Sequence, residues 1–188
     1  RMSENLMDDT ELILAANQKD LTAAAGTGMT QAMLDRLALT PKRVTVMAQA
    51  LRETAALPDP LGEILWEDTR PNGLQIHRVS VPLGVIALIF EARPNVVSDA
   101  AGICLRAGNA CILRGGKEAL QSNLSIARSL RRALKETGLP EDCVQLVDNT
   151  SRESADALMR LSDYVDVLIP RGGQELIRRV VEHASVPV

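Results

Sequence analysis

Aromatic side chains are nearly missing from this 188-residue chain, which has one Phe, one Tyr and one Trp (Phe90, Tyr164 and Trp66). Clustered positive charge is missing too: 21 basic against 24 acidic side chains leave a formal net charge of −3. Nucleic-acid binding needs stacking platforms and a basic surface, so the composition argues against it. The longest apolar run, Val81 to Phe90, is far short of the roughly 20 residues that span a bilayer, so no membrane association is expected. The opening residues do not read as a secretory leader, and none is expected. The cysteines Cys104, Cys111 and Cys143 are odd in number and lack a C-x-x-C spacing, which leaves neither a disulfide framework nor a zinc site. A reducing, cytoplasmic setting is the expectation. The G-x-G-x-x-G fingerprint of dinucleotide-binding folds is also lacking. The one G-x-G, Gly26-Thr27-Gly28, follows a helical stretch rather than a strand and reads as punctuation.

What is present is the balance of a globular protein, 46% hydrophobic and 24% charged, with enough chain to bury a core. Met2 to Leu21 holds no Pro or Gly and predicts one long helix. Thr40 is a good N-cap, Pro41 suits the first helical position, and Val44, Met47, Ala48, Leu51 and Ala55 follow helical spacing until Pro58 and Pro60. Between Gly62 and Val81 the period becomes two. Ile64 and Trp66, then Leu74 and Ile76, flank the turn Arg70-Pro71-Asn72-Gly73, predicting a hairpin with half-buried strands.

Beyond Pro82 short apolar runs alternate with helical ones. The runs are Val85 to Phe90, Ala110 to Leu113, Val144 to Val147 and Val165 to Ile169. The helical stretches are Val96 to Arg106, Lys117 to Thr137, Ser151 to Leu161 and about Gly173 to Ala184. Strands apolar throughout and alternating with helices imply a parallel sheet covered on both faces. Right-handed crossovers make it an α/β, Rossmann-like doubly wound unit. Three stretches follow: a helical region over 1–61, a hairpin over 62–82 and a nucleotide-binding unit over 83–188.

Ligands of such sheets bind where strands hand over to helices. Three handovers carry unusual residues: Glu91-Ala92-Arg93-Pro94-Asn95, Arg114-Gly115-Gly116-Lys117-Glu118, and Arg171-Gly172-Gly173-Gln174-Glu175. The last two are near copies. Paired glycines permit close backbone approach, a helix N-terminus offers free N–H groups, and Arg and Lys add charge. Two such cradles on one sheet edge suit a dinucleotide, with simple turn chemistry as the alternative. Cys104 and Cys111 read as small buried apolar residues, whereas Cys143 could be accessible. Neither His77 nor His183 can be paired with a nucleophile from its position.

The strings Val81-Pro-Leu-Gly-Val-Ile-Ala-Leu-Ile-Phe-Glu-Ala-Arg-Pro-Asn-Val97, Arg106-Ala-Gly-Asn-Ala-Cys-Ile-Leu-Arg-Gly-Gly-Lys-Glu118 and Asp166-Val-Leu-Ile-Pro-Arg-Gly-Gly173 resemble the gamma-glutamyl phosphate reductase family, within the aldehyde dehydrogenase superfamily. That superfamily's nucleotide domain is a Rossmann variant without the usual glycine fingerprint. The resemblance implies NADPH-dependent reduction of L-glutamyl 5-phosphate to L-glutamate 5-semialdehyde, the second step of proline biosynthesis, through a cysteine thioester. It places Arg114 and Lys117, with Gly115 and Gly116, near the 2′-phosphate of NADP, and Arg171, Gly172 and Gly173 near the pyrophosphate. Asn95 resembles an oxyanion-hole donor, although its spacing departs from the superfamily's and a helix-capping role remains beside it. Arg93 is a candidate contact for the substrate phosphate. The hairpin matches an oligomerisation arm, which implies a homo-oligomer, and a glutamate kinase is a further candidate partner.

The family's nucleophilic cysteine lies beyond the segment matching Ala184 to Val188, so none of the three cysteines matches it. On the resemblance, this chain is a fragment inactive by itself. Two alternatives stand beside it: a non-catalytic nucleotide-binding or oligomerisation module, and an aldehyde dehydrogenase relative with another substrate. Against the latter stands Glu91-Ala92-Arg93-Pro94-Asn95, where ordinary members carry an aromatic-containing loop.

Overall fold

The computed structural model describes residues 1–188. Four helices come first: α1 (Met2–Asp8), α2 (Thr10–Ala24), α3 (Gln31–Leu37) and α4 (Pro41–Ala56). The single helix expected from Met2 to Leu21 is thus broken at Asp9, whose backbone sits at φ −92°, ψ 11°. Propensity favours continuity there, but tertiary bonds decide otherwise. The Asp9 carboxylate accepts from the Ser129 hydroxyl and, at 3.0 Å, from the Arg132 guanidinium. The start of α4 follows local chemistry: Thr40 accepts the Arg43 N–H through its hydroxyl, with Pro41 in the first turn.

The hairpin is β1 (Ile64–Thr69) with β2 (Gln75–Val79), antiparallel, with an irregularity between Ile64 and Trp66. Its strands are almost entirely exposed rather than half buried. The alternation is real, but no other part of the chain packs on its apolar side, and Trp66 remains 49% exposed.

The remaining elements are β3 (Val85–Phe90), α5 (Asn95–Arg106), β4 (Ala110–Arg114), α6 (Leu120–Glu136), β5 (Val144–Leu146), α7 (Arg152–Met159), β6 (Val167–Arg171) and α8 (Gln174–His183). A 3₁₀ turn, Lys117–Ala119, precedes α6, so the expected helix begins three residues late. The four strands form a parallel sheet in the order β5-β4-β3-β6. This is the doubly wound arrangement that the alternation of strands and helices implies.

Strand β3 shows why both faces are covered. Ile86, Leu88 and Phe90 enter one core with α5, α6 and residues of α1, α2 and α4. Ala87 and Ile89 enter a second core with Leu158, Met159 and Val180 of α7 and α8. Period-two alternation therefore feeds two apolar layers, and the N-terminal helices share the first layer with the sheet. The last strand lies two residues later than the apolar run Val165 to Ile169 suggests. Val165 is apolar because it packs in the second core, while its own N–H closes a turn onto Leu161. Pairing with β3 starts at Val167 and carries the strand to Arg171, opposite Phe90.

Candidate active site

Strand β3 lies between β4 and β6, so the chain leaves its carboxyl end toward β4 and later returns to its other side. That divergence is a topological switch point, where open α/β sheets leave a crevice. The crevice is a cleft of about 390 Å³, lined by Phe90, Glu91, Arg93, Arg114, Gly116, Glu118 and Leu176. Its outer wall is α3, through Met33 and Arg36.

Two further clefts adjoin it. One, about 500 Å³, runs between α3, α4 and the start of α5 and includes Leu39, Met47, Arg93, Asn95 and Asp99. The other, about 450 Å³, lies between the end of α2 and the 3₁₀ turn and includes Met29, Lys117 and Glu118. Arg36 and Arg93 line both the first and the second cleft, while Met33 and Glu118 line both the first and the third. The three form one trench along the carboxyl edge of the sheet.

The glycines of the two cradles have internal neighbours. A Cβ at Gly115 would lie 2.2 Å from Asn123 Nδ2 and 3.1 Å from the Phe90 ring, and one at Gly172 would lie 2.7 Å from the Glu91 carboxyl carbon. Close packing against the buried Asn123 and Phe90 favours glycine at Gly115, whereas at Gly172 the neighbours are side-chain ends of Glu91 and Leu176 that can shift. At the start of α8 the Gly173 N–H donates to Glu91 Oε1 at 3.1 Å. A carboxylate thus already occupies the anion-attracting end of that helix.

Arg114 ends β4 with its guanidinium half-buried, and its Nη2 donates to the carbonyls of Thr150 and Ser151 at 2.7 and 2.9 Å. Its Nε is buried without a partner, and burial pulls its pKa below the usual guanidinium range. Lys117 is exposed and lines the α2 cleft, whereas Arg114 lines the switch-point cleft, so Glu118 stands as the wall they share. Arg93 and Arg171 are exposed and make no ion pair.

Asn95 opens α5, and its Nδ2 donates to Asp99 Oδ2 at 2.9 Å, one turn on. Burial pushes the Asp99 carboxyl above the ordinary aspartate value, against the lowering effects of the Asn95 amide and the Arg171 charge. None of the three cysteines lines a cleft of the trench. Cys104 and Cys111 are buried and Cys143 half-buried in or against the first core. A bond to the Cys104 thiol, together with burial, drives the Cys111 thiol far above its usual pKa, the opposite of an activated nucleophile.

Sequence reasoning missed α3 and with it Met33 and Arg36. A signal existed: Thr30 follows Gly28 and caps the helix, accepting the Met33 N–H. It also missed two buried polar residues of α2, Asn17, which holds the end of this wall, and Asp20, which holds the start of α6. Asn17 donates to the Leu37 carbonyl and accepts the Leu39 N–H. Asp20 takes the N–H groups of Gln121 and Ser122 at the start of α6. Neither residue differs locally from any polar residue on an exposed helix.

A doubly wound sheet with a trench along its carboxyl edge, entered by cationic loops, defines an α/β unit of the class that binds ligands at that edge. The model of the aldehyde dehydrogenase family matches residues 4–188, and the chain belongs to that family. It is 57% identical over 187 residues to the gamma-glutamyl phosphate reductase of Moorella thermoacetica, covering all of this chain and 45% of the relative. The crystal structure of the gamma-glutamyl phosphate reductase of Thermotoga maritima superposes with a TM-score of 0.97 at 42% identity, covering 100% of this chain and 45% of that one. For the Saccharomyces cerevisiae enzyme the TM-score is 0.91 at 31% identity, with 100% and 48% covered. The chain therefore spans about half the length of the relatives it matches.

Proposed function

We propose that this chain is the nucleotide-binding part of an enzyme that reduces L-glutamyl 5-phosphate to L-glutamate 5-semialdehyde with NADPH, releasing phosphate. The observation that carries the reading is the 57% identity, sustained over the whole chain, to a gamma-glutamyl phosphate reductase. The trench supplies what the chemistry requires: a crevice at the switch point for a dinucleotide and unpaired arginines beside it for an anionic substrate.

The residues fit a dinucleotide. The Gly173 N–H now donates to Glu91 Oε1, and it would receive a phosphate oxygen once the exposed Glu91 side chain turns away. The orphaned Nε of Arg114 faces the same need for an acceptor. The cofactor, when bound, supplies the hydride. Gly172, Gly173 and Arg171 would hold its pyrophosphate, while Arg114 and Lys117, flanking Gly115 and Gly116, would meet the 2′-phosphate from two sides of Glu118. Asn95 keeps one amide hydrogen beyond its bond to Asp99 and can offer it to a developing oxyanion. With the cysteines packed away from the trench, the nucleophile comes from outside these 188 residues.

Self-association through the exposed hairpin belongs to the same reading. So does a glutamate kinase as the partner that supplies an acyl phosphate. The test is an assay of the full-length protein with glutamyl phosphate generated by a kinase, following NADPH consumption and phosphate release. Stoichiometric loss of NADPH with phosphate appearing supports the proposal. NADPH binding without turnover would make the protein a binding module, and turnover only with a different acyl donor would make it another aldehyde dehydrogenase.

A further inference from the structure

The switch-point cleft and the α3–α4 cleft share two lining residues, and both are arginines, Arg36 and Arg93. They come from distant parts of the chain, α3 and the loop after β3. Both side chains are exposed, and neither takes part in an ion pair. Of the acidic residues nearby, three are engaged, while Glu118, which also lines the switch-point cleft, makes no ion pair with either arginine. Asp35 is bound by Arg43, with 3.0 Å between Nη2 and Oδ1. Asp99 accepts from Asn95, and Glu91 from the Gly173 N–H.

Two guanidinium groups without ion-pair partners at one junction are better placed to hold an anion between them than either is alone. Guanidinium is the side chain best shaped to grip a tetrahedral or planar oxyanion in two-point contact. On one side of the junction lies the dinucleotide crevice. On the other lies a chamber with apolar walls from Leu39 and Met47 and a polar end made by Asn95 and Asp99. A group at the junction is therefore held between the cofactor and the body of a small polar substrate.

We propose that Arg36 and Arg93 form a two-arginine clamp for the phosphoryl group of an acyl phosphate, with the α3–α4 chamber receiving the rest of that substrate. The proposal rests on the functional reading above and adds Arg36, and with it α3, to the substrate site. When a nucleophile from outside these 188 residues bonds to the acyl carbon, the acyl C–O bond breaks, its electron pair leaves on the phosphate oxygen, and the clamp stabilises the charge that develops there. In the reverse direction the same clamp binds inorganic phosphate.

The first measurement needs no turnover. The full-length protein is treated with an arginine-selective dicarbonyl, with and without inorganic phosphate, and modification is mapped by mass spectrometry. Phosphate should protect Arg36 and Arg93 together while leaving the exposed Arg152 and Arg178 unprotected. Protection of neither Arg36 nor Arg93 overturns the clamp.

The second measurement is phosphate-dependent oxidation of the semialdehyde by Arg36→Ala and Arg36→Lys. The alanine variant should raise KM for phosphate roughly tenfold or more, the loss expected for one charged partner, with KM for the aldehyde unchanged. Lysine should restore part of the affinity. A rise in KM for the aldehyde alone would show that the arginines hold the substrate's carboxylate, and would overturn the assignment. Phosphate protection of both arginines in a protein that never reduces glutamyl phosphate would sink the functional reading and leave the clamp standing.

Discussion

Arg114 and Lys117 sit three residues apart on one loop, yet the fold gives them different duties. Arg114 anchors the carbonyls of Thr150 and Ser151, so its removal loosens the segment leading into α7 as well as any contact with a cofactor. Lys117 is exposed and unpaired, so its removal reports on the cofactor alone. Lys117→Ala should weaken NADPH by about 1 kcal/mol, roughly fivefold, and leave NADH unchanged. Arg114→Ala should also weaken NADPH more than NADH, with a lowered melting temperature in addition. Equal losses for the two cofactors, measured by fluorescence titration, would remove both residues from the 2′-phosphate.

Asp99 allows a pH test. Its pKa in the folded protein lies above the ordinary aspartate value because of burial. The native state therefore keeps a proton that the unfolded chain has released. Stability attributable to this group falls as pH rises from about 3.9, the unfolded value, through the pKa of Asp99, and is constant above it. Asp99→Asn removes that slope, so the variant should gain stability relative to the parent as pH rises through the window. Thermal melts with a constant offset across the range would contradict the assignment.

Among the elements, the parallel strands and the helices between them were legible in sequence because burial on both faces leaves unbroken apolar runs. Val85 to Phe90 needed no adjustment. The helix break and the strand start that the sequence misplaced each had a tertiary cause. The break at Asp9 depends on Ser129 and Arg132, more than a hundred residues away. The start of β6 depends on where pairing with β3 begins, since Val165 is equally apolar outside the ladder.

The contact of α2 with α6 rests on Asp20, whose carboxylate takes two backbone N–H groups and the Ser122 hydroxyl. Asp20→Ala should cost about 2 kcal/mol, since it removes a helix cap and leaves buried donors unsatisfied. A urea midpoint unchanged from the parent would show that water replaces the carboxylate. Asp20 accepts from the Ser122 hydroxyl, which in turn accepts from Asn17, the residue that holds the end of α3, so the same variant should also weaken phosphate binding in the trench.

At the scale of the whole molecule, the hairpin is the part least explained by the chain's own packing. Ile64, Leu65 and Trp66 are each about half exposed on a two-stranded ribbon, and such a ribbon is marginal in water by itself. Exposed apolar surface of this kind suits the self-association proposed above. Trp66→Glu should leave the melting temperature of the isolated subunit unchanged and shift the full-length protein toward monomer by sedimentation velocity. An unchanged assembly would take the hairpin out of the interface.

Taken alone, the sequence determined the alternation of strand and helix, the two covered faces of the sheet, and the three loops at its carboxyl edge. These follow from local periodicity and from glycine and proline chemistry, which act over a few residues. Tertiary structure decided that the paired glycines face Asn123, Phe90 and Glu91, that the cysteines lie away from the trench, and that α3 brings Arg36 beside Arg93. Those outcomes depend on contacts between segments far apart in the chain, and nothing in the residues nearby encodes a partner fifty or a hundred positions away.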